Sequence, residues 1–362
     1  EWILPYGTWS PISSPKFSEE GSSVVPRLKP GPTFSGIVGP MSGILALGAY
    51  VPERVLTNED LEKTLDTSDE WITERTGIKE RRIAREDEYT SHLAFQAVED
   101  LLKRNPGGLE GVDGVIVATN TPDALFPATA ALVQARFGLR AFAYDLLAGC
   151  PGWIYGLAQA HALVESGLAR KVLVVGAEAL SKIVDWNDRK TAVLFGDAGG
   201  AAVVGKVREG FGFRSFVLGA DGTGGKELYH ACVAPRLPEG TPMQNRLYMN
   251  GREVFKFAVR VMNTATLEAI EKAGLTPEEI KLFVPHQANL RIIDAARERL
   301  GLSWERVVVN VQKYGNTSTA SIPLALKEAL EEGRLQEGDH ILLVSFGAGL
   351  TWAAAVLTWG GW

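Results

Sequence analysis

Short apolar runs alternate with longer amphipathic runs along most of the chain, and this alternation is the feature that most limits its fold. Short, continuously apolar runs are typical of buried strands, whereas apolar residues spaced three and four apart are typical of helices. Strands that alternate with helices build parallel or mixed sheets with helices on their faces. The sequence therefore predicts an α/β fold with buried, mixed sheets.

The predicted elements form two similar series. Strands are predicted at residues 44–50, 114–119, 141–147, 171–176, 198–204, 281–285, 307–310, 340–345 and 351–357, and helices at 93–104, 153–169, 254–273, 289–300 and 322–332. A glycine-rich bend precedes an Ala/Val strand in each series, at Phe195-Gly-Asp197 and at Phe346-Gly-Ala-Gly349. We therefore expect an internal duplication with halves at 41–211 and 212–362.

Residues 1–40 differ from the rest of the chain because they are rich in Pro, Ser and Gly and show no sustained period. Such composition predicts a flexible or draped segment. It also lacks the basic start and apolar block of a secretory signal. Because Met41 opens the first strand-like run, we expect residues 1–40 to be an added or upstream tail.

Composition narrows the class of protein. With 46% hydrophobic and 22% charged residues the chain is typical of a soluble globular protein, and its net charge of −6 argues against non-specific nucleic-acid binding. No apolar run reaches the roughly 20 residues of a membrane-spanning helix. The two cysteines, Cys150 and Cys232, do not make a disulfide framework, which favours a reducing, cytoplasmic setting.

Cys150 lies in the turn Leu147-Ala-Gly-Cys-Pro-Gly-Trp153, between a predicted strand and a predicted helix. Pro151 suits the first helical position, and the neighbouring glycines permit close backbone approach. The positive end of the helix dipole favours a thiolate, the form of cysteine that attacks carbonyls. A small apolar core residue is the alternative interpretation.

Two further residues are candidate partners of this thiol. His286 follows a predicted strand and Pro285, although a core or capping histidine fits the same pattern. Asn316 precedes a predicted helix, although Gly-Asn is also ordinary turn chemistry. Cysteine, histidine and asparagine suit a thiol hydrolase or carbon–carbon bond formation. The glycine-rich Ser345-Phe-Gly-Ala-Gly349 segment can supply a backbone N–H to an oxyanion, or reflect tight sheet packing alone.

From Met41 to the C-terminus, separated motifs in a fixed order resemble the 3-oxoacyl-[acyl-carrier-protein] synthase III family of condensing enzymes. The motifs are Asp66-Thr-Ser-Asp-Glu-Trp-Ile72, Arg75-Thr-Gly-Ile78, the Cys150 turn, Phe195-Gly-Asp197, Val284-Pro-His-Gln-Ala-Asn-Leu-Arg291, Tyr314-Gly-Asn-Thr-Ser318 and Phe346-Gly-Ala-Gly349. The resemblance implies a thiolase-like fold, a duplicated five-layered α-β-α-β-α arrangement with mixed sheets.

The resemblance also implies roles for individual residues. Cys150 is the acyl-accepting nucleophile, His286 and Asn316 assist decarboxylation, and the backbone N–H groups of Cys150 and Ala348 form the oxyanion hole. The residues implied in binding are Thr67, Trp71, Arg75 and Arg189 for the adenine end of coenzyme A; Met249, Gly251, Phe255, Ala288, Asn289 and Phe346 for the pantetheine channel; and Lys256 and Arg291 for the carrier protein. Phe126 is implied to reach the acyl pocket of a partner subunit, so a homodimer is expected.

The implied activity is a decarboxylating condensation of a short acyl-CoA, acetyl-CoA by default, with malonyl carrier protein. This reaction initiates type II fatty-acid synthesis and needs no metal or cofactor beyond the coenzyme A thioester. An acyl-cysteine acyltransferase or secondary-metabolite synthase of the same fold is the alternative, and a non-catalytic binding subunit is a third reading. Pro151, Trp153 and Ala348 depart from the familiar family pattern, so the pocket floor and the primer preference stay open.

Overall fold

A computed structural model of the protein describes residues 41–362, and the predicted tail at residues 1–40 lies outside the described residues. The strands are β1 (Ser42–Tyr50), β2 (Arg54–Thr57), β3 (Glu80–Ile83), β4 (Val112–Ala118), β5 (Phe142–Leu146), β6 (Lys171–Glu178), β7 (Ala198–Lys206), β8 (Gly212–Ala220), β9 (Leu228–Tyr229), β10 (Tyr248–Met249), β11 (Ile280–Pro285), β12 (His340–Gly347) and β13 (Thr351–Thr358). The helices are α1 (Asn58–Glu62), α2 (Asp69–Thr76), α3 (Thr90–Arg104), α4 (Thr129–Arg136), α5 (Gly152–Glu165), α6 (Arg189–Ala192), α7 (Gly251–Lys272), α8 (Leu290–Arg299), α9 (Val311–Tyr314) and α10 (Ser321–Glu331).

Two mixed sheets form the framework. The first has the strand order β1-β7-β6-β4-β5, in which β4 runs parallel to β5 and β6 while β7 is antiparallel to β1 and β6. The second has the order β11-β12-β13-β8, with β11 parallel to β12 and the other pairs antiparallel. Val174 and Leu343 are fully buried in these sheets, as expected for strands covered on both faces.

The sheets and helices stack in five layers. Helices α5 and α10 lie between the two sheets, where Leu157 and Leu326 pack in one apolar cluster with side chains from both. Helix α3 covers the outer face of the first sheet through residues such as Leu93. Helices α7 and α8 cover the outer face of the second through residues such as Met262 and Ile293. The predicted α/β fold with mixed sheets is confirmed.

The two sheets also repeat one another. Strands β1, β7, β6 and β4 of the first sheet occupy the same relative positions as β8, β13, β12 and β11 of the second. Every strand of the first sheet ends by Lys206, and every strand of the second begins at or after Gly212. We therefore propose residues 41–211 and 212–362 as the two units of the duplication.

One predicted strand is wrong. Residues 307–310 were expected to form a strand, but they make only a single bridge, between Val307 and Phe283 of β11. The Gln287 side chain accepts hydrogen bonds from the backbone N–H of Asn310 at 2.9 Å and of Val311 at 3.2 Å. A side chain thus satisfies groups that a strand would have paired, which the apolar run could not reveal.

Candidate active site

Cys150 lies between β5 and α5, at the junction of the two halves. Gly149 has a φ of +65°, and a Cβ there would lie 2.5 Å from the carbonyl oxygen of Ala348. Only glycine fits this close, left-handed turn. A Cβ at Gly347 would lie 3.0 Å from Sγ of Cys150. Helix α5 begins at Gly152, so Pro151 precedes the helix instead of occupying its first position.

Cys150 is partly buried, and the pKa of its thiol is raised, against the expectation of a thiolate. Burial raises the pKa of Cys150 to about 12, while hydrogen bonds from the Ser318 hydroxyl and from the backbone N–H groups of Cys150 and Ala348 act in the opposite direction. Removal from water outweighs the favourable helix terminus because it penalises the charged form. Both N–H groups predicted to form the oxyanion hole are among the groups that lower the pKa of this thiol.

His286 follows β11 and is 1% exposed. Its Nδ1 lies 2.7 Å from the Ser321 hydroxyl, and no described group hydrogen-bonds Nε2. Burial lowers the pKa of His286 to about 3, so the ring is neutral. When the Ser321 hydroxyl donates to Nδ1, Nε2 carries the proton and can donate it to a ligand.

Asn316 is held on both sides of its backbone. Its N–H donates to the carbonyl oxygen of Leu194 at 2.8 Å, and its own carbonyl accepts from Gly196 at 3.0 Å. Its side-chain Oδ1 accepts the backbone N–H of Ser318 at 2.9 Å. This bond orients the amide with its NH2 group left to donate.

One cavity of about 490 Å³ brings these three residues together. Its lining includes Cys150, His286 and Asn316 with every residue predicted for the pantetheine channel: Met249, Gly251, Phe255, Ala288, Asn289 and Phe346. Arg75, Lys256 and Arg291 also line it, and so does Arg252, which sequence reasoning missed. Arg252 lies four residues before Lys256 on α7, and this helical spacing was the available signal.

Trp71 lies beside the cavity and does not line it. The guanidinium carbons of Arg75 and Arg189 each lie 5.0 Å from the centre of its ring. Arg189 also donates to the carbonyl oxygen of Asp66 at 2.6 Å. Arg75 therefore connects the indole to the cavity. Thr67 is outside the lining too, and its buried hydroxyl has no partner among the described residues.

Phe126 is not part of this cavity in its own chain. Its side chain is 85% exposed and does not line the cavity that contains Cys150. In the described part of the chain, no cluster of His, Cys, Asp and Glu could hold a metal ion. None of the helices at residues 41–362 is both long and apolar enough to cross a membrane.

Comparison with known proteins decides the family. The sequence profile described as 3-oxoacyl-[acyl-carrier-protein (ACP)] synthase III matches residues 144–222, and its C-terminal counterpart matches 270–359. The beta-ketoacyl-[acyl-carrier-protein] synthase III of Deinococcus deserti is 55% identical over 320 residues, which cover 88% of this chain and 91% of the relative. The chain belongs to the 3-oxoacyl-[acyl-carrier-protein] synthase III family.

Solved structures of this synthase III family have the same fold as this chain. A synthase III crystal structure from Thermus thermophilus is 87% identical with a TM-score of 0.88, covering 88% of this chain and all of that one. The priming beta-ketosynthase of the R1128 polyketide pathway is 37% identical with a TM-score of 0.81, covering 89% and 97%. The predicted family, thiolase-like fold and condensing-enzyme class are confirmed.

Proposed function

We propose that this chain condenses acetyl-CoA with malonyl carrier protein, losing CO2, through an acyl group held on Cys150. The observation that carries the proposal is the single cavity that holds a thiol, a neutral imidazole and an oriented amide. These groups supply one nucleophile and two hydrogen-bond donors, which a decarboxylating condensation needs.

In the first half-reaction, Sγ of Cys150 attacks the acetyl carbonyl carbon. The bond from that carbon to the coenzyme A sulfur breaks, and the thiol proton leaves with coenzyme A. The backbone N–H groups of Cys150 and Ala348 are the donors proposed to stabilise the oxyanion, since both act on the sulfur to which the acyl group becomes bonded. Acetyl-Cys150 is the product.

In the second half-reaction, Nε2 of His286 and Nδ2 of Asn316 donate to the thioester carbonyl oxygen of malonyl carrier protein. The bond to the carboxylate breaks, CO2 leaves, and its electron pair forms an enolate that these donors stabilise. The enolate carbon attacks acetyl-Cys150, the bond to Sγ breaks, and the sulfur regains a proton from water. The product is 3-oxoacyl carrier protein.

The test is the intact mass of the protein after mixing with acetyl-CoA and then with malonyl carrier protein. We expect one acetyl adduct that disappears as acetoacetyl carrier protein forms. An adduct that persists with malonyl carrier protein would instead indicate an acyltransferase with another acceptor. Absence of an adduct with a series of acyl-CoAs would contradict the nucleophile assignment.

A neutral His286 predicts the pH dependence of decarboxylation. Because the pKa of this ring is lowered to about 3, its donor stays available from about pH 5 to 8, where an ordinary histidine titrates. We expect the rate of malonyl-CoA decarboxylation to show no inflection in this range, as followed by CO2 release. A midpoint near the ordinary histidine pKa that disappears in His286→Ala would contradict this.

Trp71, with Arg75 and Arg189 beside its ring, is proposed to bind the adenine of coenzyme A. An indole flanked by guanidinium groups stacks well on a flat base. Trp71→Ala is expected to raise KM for acetyl-CoA by about tenfold with little change in kcat. KM for malonyl carrier protein, which carries no adenine, should stay unchanged. Trp304→Ala is the matched control, since Trp304 also stacks on an arginine, Arg297 at 4.7 Å. An equal rise in both KM values would contradict the assignment.

Carrier-protein docking is proposed at the basic residues that line the cavity. Arg252, Lys256 and Arg291 are exposed, and the Arg291 guanidinium lies 5.8 Å from the centre of the Phe255 ring. Glu253 pairs with Lys256 at 2.7 Å, so the arginines carry more of the uncompensated charge. A local basic patch attracts an acidic carrier protein in spite of the negative total charge.

A homodimer is proposed at the free edge of β5. Phe142 and Tyr144 of β5 are 41% and 36% exposed, Leu147 directly after it is 76% exposed, and such side chains beside a sheet edge favour association. Phe126, 85% exposed, precedes α4, the helix that packs against β5. Phe126→Asp is expected to sediment as a monomer where the unaltered protein sediments as a dimer. Leu168→Asp alters a similarly exposed leucine, at 75%, and should leave the dimer intact. A dimer in both variants would contradict the interface.

The proposed compartment is the cytoplasm. Both cysteines are free, and the nucleophile must remain reduced to accept an acyl group. A reducing compartment keeps such a thiol available.

A further inference from the structure

A carboxylate that the steps above do not use is buried behind the nucleophile. Glu178 ends β6 and is 0% exposed. Its Oε1 accepts from Nδ2 of Asn120 at 2.5 Å, from the Ser318 hydroxyl at 2.9 Å and from the Thr319 hydroxyl at 3.1 Å. Its Oε2 accepts from the backbone N–H of Asn120 at 3.0 Å and from the hydroxyls of Thr121 at 3.1 Å and Thr119 at 3.3 Å.

This set of donors is matched to a charged acceptor. Burial raises the pKa of Glu178, and the hydrogen bonds act in the opposite direction. The backbone N–H of Asn120 faces one carboxylate oxygen and cannot become an acceptor, so a carboxamide would fit only with the Asn120 side-chain amide turned over. Burying a charge is costly, and an apolar residue would serve a purely structural position better.

Ser318 connects this carboxylate to the reacting groups. Its hydroxyl has one proton, which it donates to Glu178 Oε1 at 2.9 Å and can donate to the Cys150 sulfur only when that bond breaks. Its backbone N–H holds the Asn316 side chain at 2.9 Å. Its φ is +51°, which a serine adopts only when its surroundings impose it. Of these surroundings, Glu178 accepts from the hydroxyl and Nδ2 of Asn120 donates to it at 3.1 Å.

We propose that Glu178 is a positioning residue for both half-reactions, acting through Ser318 to hold the Cys150 thiol and the Asn316 amide in register. The proposal rests on the proposed function, because it assigns Glu178 to the same site. This role differs from a merely structural one because Glu178 acts on the Cys150 thiol in two ways, through its charge and through its hydrogen bond with Ser318.

These two actions predict changes in opposite directions for Glu178→Gln. The ionised carboxylate raises the pKa of the nearby thiol, so its removal moves the midpoint of Cys150 alkylation to lower pH, by about one unit. The thiol thus becomes more reactive at neutral pH. At the same time the displaced Ser318 releases the Asn316 amide, so kcat for condensation falls by about tenfold or more. KM for acetyl-CoA should stay within about twofold, since Trp71 is outside this network.

The experiment compares the whole enzyme with three variants. Alkylation of Cys150 by iodoacetamide, followed by intact mass across a pH series, reports the thiol without any substrate. Condensation kinetics then give kcat and the KM for acetyl-CoA, measured for Glu178→Gln, Ser318→Ala and the double variant under the same conditions. If Glu178 acts through Ser318, both single variants lose kcat, and the double variant loses no more than the worse of the two.

Asp197→Asn is the matched control. Asp197 is also a fully buried carboxylate that accepts the backbone N–H groups of Ala84 at 2.7 Å and Ser181 at 2.8 Å, and it is not among the groups that shift the pKa of Cys150. We expect it to lower the melting temperature and to leave the alkylation midpoint unchanged. An unchanged midpoint in Glu178→Gln, an unchanged kcat, or losses that multiply in the double variant would each overturn the proposal.

Failure of this proposal and failure of the proposed function give different results. If the unaltered protein takes no acetyl group from acetyl-CoA, the proposed function fails, while alkylation still tests the link between Glu178 and Cys150. If acetylation and condensation proceed normally in Glu178→Gln, only the positioning role fails.

Discussion

Cys150→Ser is expected to lower acetyl transfer from acetyl-CoA by at least about 10³-fold. An alcohol is a far weaker nucleophile than a thiol, and a serine needs a strong general base at its side. The ring that shares the cavity, His286, has a pKa lowered to about 3 and is therefore a poor base. The measurement is the rate of appearance of the acetyl adduct by intact mass.

Cys232→Ser is the control for this substitution, because Cys232 is the other free cysteine and is exposed. It should retain the adduct and the condensing rate. A Cys150→Ser protein that still gains one acetyl group at the original rate would place the nucleophile elsewhere. Retention of malonyl-CoA decarboxylation in Cys150→Ser would show that the cavity is still assembled.

Asn316→Ala is expected to separate the two half-reactions. Removing one donor to a developing oxyanion costs about 10² to 10³ in rate, so malonyl-CoA decarboxylation should fall by that factor. Acetylation of Cys150 should change by less than about threefold, since the donors proposed for its oxyanion are the backbone N–H groups of Cys150 and Ala348. CO2 release and adduct formation, measured on the same preparation, give the two rates.

Asn310→Ala is the matched control for a buried asparagine. Asn310 is 3% exposed and donates to Glu328 at 2.8 Å, and it does not line the cavity. Its loss should lower stability without changing the ratio of the two rates. If Asn316→Ala slowed acetylation and decarboxylation equally, the amide would be a general structural support and the proposed division of roles would be wrong.

The sequence predicted the framework well because buried strands and amphipathic helices leave strong local patterns. The run at 171–176 became β6, and the helix predicted at 254–273 became α7 at Gly251–Lys272. Short elements such as β2 and α1 were missed, since a few half-exposed residues carry little periodicity. Residues 307–310 have a strand's composition, yet the N–H of Asn310, at the end of the run, donates to the Gln287 side chain instead of a neighbouring strand.

The site was predicted by a different kind of information. Local patterns made Cys150, His286 and Asn316 candidates, and the family resemblance assigned their roles. The three share one cavity, whereas the pKa shifts of Cys150 and His286 depend on burial that no local pattern encodes. The prediction of a thiolate at Cys150 was wrong for this reason, since burial raises the pKa of the thiol. Glu178 did leave a signal, a carboxylate that ends an otherwise apolar strand, but its partners come from segments over a hundred residues apart.

The central helix layer sets the order in which a growing chain can become active. Helix α5 emerges from the ribosome with the first sheet, but its other neighbours, α10 and the second sheet, belong to the final part of the chain. Until these are synthesised, the apolar face of α5 stays open to water and to other chains, a hazard for large proteins made from one end. The cavity around Cys150 therefore cannot form until synthesis is nearly complete, because its lining includes residues as late as Phe346 and Gly347.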